Sequence, residues 1–177
     1  MRATTLRLGP RTFDITDRPL VMGILNRTPD SFYDRGATFA LDDLVRRAEL
    51  LVDQGADLLD VGGVKAGPGP EVGEAEELDR VIPTIEALAA RFDIALSADT
   101  WRASVAREAY RAGAVVGNDI SGFADPDYLA AGLTPDRIVL DAGLDLGKTA
   151  MQSLALLRAS DRLADLGYPL LLSASNK

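Results

Sequence analysis

Six short apolar runs, four of them followed by residues at helical spacing, constrain this chain more than anything else in it. Predicted strands cover 21–26, 58–61, 94–99, 115–119, 137–141 and 170–172. Strands that read as continuous Val/Ile/Leu runs are buried on both faces, and their alternation with helices implies a parallel sheet. Leu41, Leu44, Val45, Ala48, Leu51 and Val52 mark a first helix that Gly55 closes. Leu78, Val81, Ile82, Ile85, Leu88, Ala89 and Phe92 mark a second, with Pro83 in its first turn or at a kink. Helices are also predicted over 102–112, ending at Gly113, and over 149–166, ending at Gly167. The segment ATTLRLGPRTFDIT (3–16) reads as a hairpin turning at Gly9-Pro10. An open doubly wound sheet and a (β/α)8 barrel both satisfy this pattern, and both bind ligands at the carboxyl ends of their strands.

Those ends are polar throughout. In order they are Asn26; Asp60 followed by Gly62-Gly63; Asp99-Thr100; Asn118-Asp119; Asp141; and Asn176-Lys177. One polar strand end is ordinarily a helix cap or a turn. Six on one rim must each be satisfied or solvated, which makes a small-molecule site the better reading. Composition narrows its chemistry. The 177 residues contain no histidine and no cysteine, which excludes a Ser-His triad, thiolate chemistry and the usual transition-metal ligands. A net charge of −8 argues against nucleic acid as the main partner. No apolar run reaches the ~20 residues of a membrane span and no leader is evident, so no membrane partner and a cytoplasmic setting are expected. The loops GGVKAGPGP (62–70) and GLDLGKT (143–149) are glycine-rich and carry a lysine. Neither has the spacing of a Walker loop or of GxGxxG.

Longer stretches resemble one family. MGILNRTPDSFYDRG (22–36) is similar to the first signature of dihydropteroate synthase, and GADLLDVGG (55–63) to its second. LSADTWRASVAREAYRAGAVVGNDISG (96–122) resembles its third and fourth strands with the helix between. DRIVLDAGLDLGKT (136–149) and GYPLLLSASNK (167–177) are similar to the blocks that carry strands six and seven. The resemblance implies an α/β fold, a TIM (β/α)8 barrel of the pterin-binding type, as a single domain over 1–177. It implies condensation of a dihydropterin methyl pyrophosphate with p-aminobenzoate to dihydropteroate, in folate biosynthesis. Pyrophosphate leaves the methylene carbon, the aniline nitrogen attacks it, and the electron-rich pterin stabilises the cation, so no protein nucleophile is needed. Asp99, Asn118, Asp141 and Lys177 would grip the pterin ring, whose adjacent N–H donors a carboxylate can accept in pairs. Asn26 would help hold the pyrophosphate with Mg²⁺, Thr28 would belong to a loop over p-aminobenzoate, and Lys65 would meet the anion. Asn26, Asp99 and Lys177 are thereby the catalytic candidates, and a homodimer is implied.

The sequence departs from the family pattern at several of these points. Where the family's second loop carries an arginine, this chain has Gly67, and Lys65 offers a compact point charge in place of a bidentate fork. Leu146 stands at a phenylalanine position and Asn176 at an arginine position. The NRTPDSFYDRGATF, KAGPG and SNK variants resemble a divergent actinobacterial paralogue group. A (β/α)8 barrel ordinarily takes about 250 residues. The segment between 122 and 137 is expected to be shortened, and the family's eighth strand is not recognisable. A non-catalytic pterin-binding or partner-interaction protein is therefore the alternative to the synthase. A corrinoid-dependent methyl-transferring pterin enzyme is a more distant one.

Overall fold

The computed structural model describes residues 4–27, 37–64, 71–122, 124–131, 139–144 and 148–173. They fall into two compact units, one spanning Leu20–Leu133 and the other joining Met1–Pro19 to Thr134–Lys177.

The first unit is built on a four-stranded parallel sheet. Its strands are β3 (Met22–Asn26), β4 (Leu58–Gly62), β5 (Ala95–Asp99) and β6 (Val116–Asn118), side by side in chain order. Helices α1 (Ala37–Asp53), α2 (Glu74–Arg91) and α3 (Ala103–Ala112) connect them, as continuous apolar runs require. Leu25, Leu59, Val61, Leu96 and Ala98 on the strands pack with Leu44 and Ala48 of α1, Val81, Ile85 and Leu88 of α2, and Val105 and Ala109 of α3. Alternate strand residues therefore face the helices, and the intervening ones face the other side of the sheet. Gly113 ends α3 at φ 120°, a conformation that an L side chain would strain, while its N–H bonds the Tyr110 carbonyl.

The connection after β6 forms a short helix, α4 (Asp127–Ala130), that the apolar periodicity did not predict. Its signal is local: the Asp125 carboxylate accepts the Asp127 N–H at 2.9 Å, and Pro126 pre-sets the backbone of the first turn. Tyr128 of this helix is fully buried against Ala103 and Ala106 of α3.

The second unit contains the expected hairpin, β1 (Thr5–Leu8) and β2 (Arg11–Asp14), paired antiparallel. It also contains the parallel pair β7 (Leu140–Asp141) and β8 (Leu170–Leu171). The single helix predicted over 149–166 is two, α5 (Ala150–Arg158) and α6 (Ser160–Ala164). Thr149 and Gln152 close a capping box at the start of α5. The break falls at Ala159, where Ser160 and Asp161 follow, residue types that favour a new helix N-terminus over a helix interior.

Pro83 lies neither in the first turn of α2 nor near its end. A proline at this depth withholds the N–H that would reach the Asp79 carbonyl. Arg27, the residue after β3, supplies a donor: its Nη1 reaches the carbonyls of Asp79 at 3.3 Å and Arg80 at 3.1 Å. This tie fixes the end of β3 to the helix behind it. Replacing Arg27 with leucine is expected to cost about 1 kcal/mol. Urea denaturation should show a smaller cost when Pro83→Ala has restored the missing helical donor.

Candidate functional site

Register brings the carboxyl ends of the four strands into a single row. Asn26 pairs with Gly62, Gly62 with Asp99, and Asp99 with Asn118. One pleat deeper on the same face lies a second row, Ile24, Asp60, Ser97 and Val116. Three of the seven expected site residues, Asn26, Asp99 and Asn118, thus stand together at one rim. Asp141 belongs to the other unit, where its Oδ1 accepts the Gly143 N–H and its Oδ2 the Ser173 hydroxyl, both at 2.8 Å. Thr28, Lys65 and Lys177 lie outside the described residues, as do Gly67, Leu146 and Asn176.

Gly62 is central to the rim. A Cβ built on it would fall 2.7 Å from Asn26 Oδ1 and 3.1 Å from Asp99 Oδ2. The missing side chain is what lets these two oxygens converge. Beside them, Asn118 Nδ2 donates to Asp60 Oδ2 at 3.0 Å. Asp60 is only 3% exposed in a strand that is buried along its whole length. Its Oδ1 and the hydroxyl of Ser97, its partner in register, make no hydrogen bond among the described residues.

Behind the rim a buried ion pair joins α2 to the loop after β5. Glu77, with no exposed surface, pairs with Arg102, whose Nη2 also donates to the Val72 carbonyl at 2.9 Å. The Arg102 guanidinium lies 4.7 Å from the centre of the Trp101 ring. Asp125 Oδ2 accepts the Ala103 N–H at the start of α3 at 3.3 Å. Sequence reasoning missed Glu77, Arg102 and the part played by Asp60. For the ion pair there was no local signal, since its members are far apart in the chain.

The electrostatics are those of an acidic recess. Burial pushes Asp60 above the ordinary carboxylate range, partly offset by the hydrogen bond from Asn118. Burial, then the charges of Asp60, Glu77 and Asp119, push Asp99 up to about 7. A recess that crowds carboxylates and an amide oxygen together favours a ligand edge rich in N–H donors. The same shift sets a pH dependence of folding. Asp99 holds its proton up to about 7 when folded but releases it near 3.8 when unfolded. Between those values the folded chain binds more protons, so the Asp99 contribution to stability falls as pH rises through that window and levels off above it. Melting curves should show that Asp99→Asn flattens this fall between about pH 5 and about pH 7.5.

Comparison with known proteins gives this geometry a context. The family described as "Pterin binding enzyme" matches residues 22–130 and 127–177. Dihydropteroate synthase of Clostridium beijerinckii is 36% identical over 214 aligned positions, covering 97% of this chain and 80% of that protein. Inactive dihydropteroate synthase 2 of Mycobacterium leprae is 39% identical over 214 positions, covering 91% of this chain and 74% of that protein. The crystal structure of Xanthomonas albilineans dihydropteroate synthase with 4-aminobenzoic acid superposes with a TM-score of 0.88 at 33% identity, over 98% of this chain and 79% of that one. The expected α/β fold, that of the pterin-binding barrels, is thereby borne out.

Proposed function

Because this chain belongs to the dihydropteroate synthase family, we propose that its strand-end rim binds the ring of a dihydropterin. The observation that carries the reading is the row Asn26–Gly62–Asp99–Asn118, with two acceptor oxygens converging over a glycine. The 2-amino and ring N–H groups of a pterin form an adjacent donor pair, which Asp99 accepts as a carboxylate. Asn118 completes the recognition from the neighbouring strand. Ring-binding by Asp141 and Lys177, and contacts of Thr28 and Lys65 with p-aminobenzoate and the anion, are expectations of the resemblance. Titrating Asp141→Asn and Lys177→Met checks the first two.

The reaction proposed for this rim is the family's condensation of the pterin pyrophosphate with p-aminobenzoate. The chain's own contribution is to hold and orient the ring while the methylene carbon exchanges pyrophosphate for the aniline nitrogen. Such a step needs stabilisation of the departing charge. Mg²⁺ would supply that stabilisation when bound. Asn26 Oδ1 fits a hard cation as one oxygen ligand and would hold it together with oxygens of the substrate. Among the described residues there is no group of three or more acidic side chains that could hold a metal unaided.

A second reading, a pterin-binding paralogue without synthase turnover, is favoured by two observations. Gly67 stands where the family's second loop has its anion-binding arginine, and relatives of comparable similarity include proteins named inactive. Loss of anion contacts removes transition-state stabilisation while sparing ring binding. Incubation with the pyrophosphate ester and p-aminobenzoate decides between them. Dihydropteroate formation supports the synthase, and binding without product supports the paralogue. The single-domain organisation over 1–177, with a shortened connection between 122 and 137, is part of the same proposal and is supported by the two-part family match. So is the homodimer, which light scattering tests.

A further inference from the structure

Asn118 can present either of two faces to a ligand, because rotating its amide exchanges an acceptor for a donor at nearly the same position. What decides between them lies one pleat deeper. Asn118 Nδ2 donates to Asp60 Oδ2 at 3.0 Å, and among the described residues nothing donates to Asn118 Oδ1. Asp60 is an acceptor at Oδ2 in either protonation state: a proton on this carboxyl would sit on Oδ1, the oxygen without a partner among the described residues. The amide is planar, so with Nδ2 held from below, the oxygen is on the arm turned away from Asp60.

We infer that Asp60 is a positioning residue that sets the ligand specificity of the rim, by holding the Asn118 amide so that its oxygen is offered to the ligand. This rests on the ring-binding reading above and deepens it. An acceptor at Asn118 beside the acceptor at Asp99 selects a heterocycle edge carrying two donors, as in a 2-amino pterin. It selects against a lumazine, in which a carbonyl replaces the 2-amino group. A buried carboxylate retained in an otherwise apolar strand, LLDVG, is costly unless it does something that an aliphatic residue could not.

The test compares binding of the dihydropterin alcohol with that of its lumazine counterpart, by titration of Trp101 fluorescence. The wild type should prefer the pterin. Asp60→Leu keeps the strand buried and apolar but frees the Asn118 amide to rotate, and the preference should fall about tenfold. Adding Asn118→Asp to Asp60→Leu should restore it, because a carboxylate offers an acceptor however it rotates. A merely structural role for Asp60 predicts no such rescue. Asp60→Asn, whose amide can either accept from or donate to Asn118, should be intermediate and guards against misfolding of the leucine variant. A pterin-to-lumazine ratio unchanged by Asp60→Leu and Asp60→Asn, in a protein that binds the pterin, overturns the inference alone. A wild type that binds neither compound overturns the ring-binding reading and this inference with it.

Discussion

Replacing Arg102 with methionine is expected to destabilise the fold by about 3–5 kcal/mol. Arg102 neutralises Glu77, a carboxylate with no exposed surface, and its second nitrogen satisfies the Val72 carbonyl. Removing the cation strands a buried negative charge that acts on Asp99, already pushed up by its neighbours. The same variant loses the stacking on Trp101. Burying an unpaired charge is far more costly than forgoing a pair, so the double variant Glu77→Leu/Arg102→Met should recover most of the loss. Urea denaturation followed by fluorescence separates the cases. Equal destabilisation in the single and double variants would mean that the site depends on packing around Arg102 and not on its charge.

Gly62→Ala is expected to have the opposite profile: a modest effect on folding and a severe one on binding. The added methyl would sit within van der Waals overlap of Asn26 Oδ1 and close against Asp99 Oδ2. Both are ends of side chains at a rim, so they can rotate aside, and the cost in stability should be about 1–3 kcal/mol. Rotating Asp99 aside removes the carboxylate that accepts the ring's two donors, and pterin affinity should fall by about a hundredfold, the equivalent of two hydrogen bonds to a charged group. Calorimetric titration of the folded variant measures this. Unchanged affinity would show that the ligand does not use the space over Gly62.

Much of this was legible in the sequence because parallel strands announce themselves. Runs such as MGILN and ALSAD are mostly apolar, and the amide or carboxylate that ends each one stands out. Asn26, Asp99 and Asn118 were visible for that reason. Asp60 was noticed as a strand end, yet it lies inside the strand with Gly62 closing it, and its partner is on another strand. Its signal was a charged residue within an apolar run, which demands a reason. Glu77–Arg102 and Arg27–Asp79 could not be read at all, because tertiary packing creates them between residues distant in the chain. Pro83 advertised a missing donor, but nothing local says that an arginine after the first parallel strand replaces it. The split of 149–166 into α5 and α6 was overridden by apolar periodicity, although Ser160-Asp161 marked the second start.

The rim centred on Asp99 is proposed to hold a pterin ring. Titrating the dihydropterin alcohol against the protein, with the single tryptophan, Trp101, two residues from that carboxylate as the reporter, tests it most directly. Saturable quenching at one site is expected, weakened at least about tenfold in Asp99→Asn. Absence of binding, or equal binding by the wild type and Asp99→Asn, would contradict it.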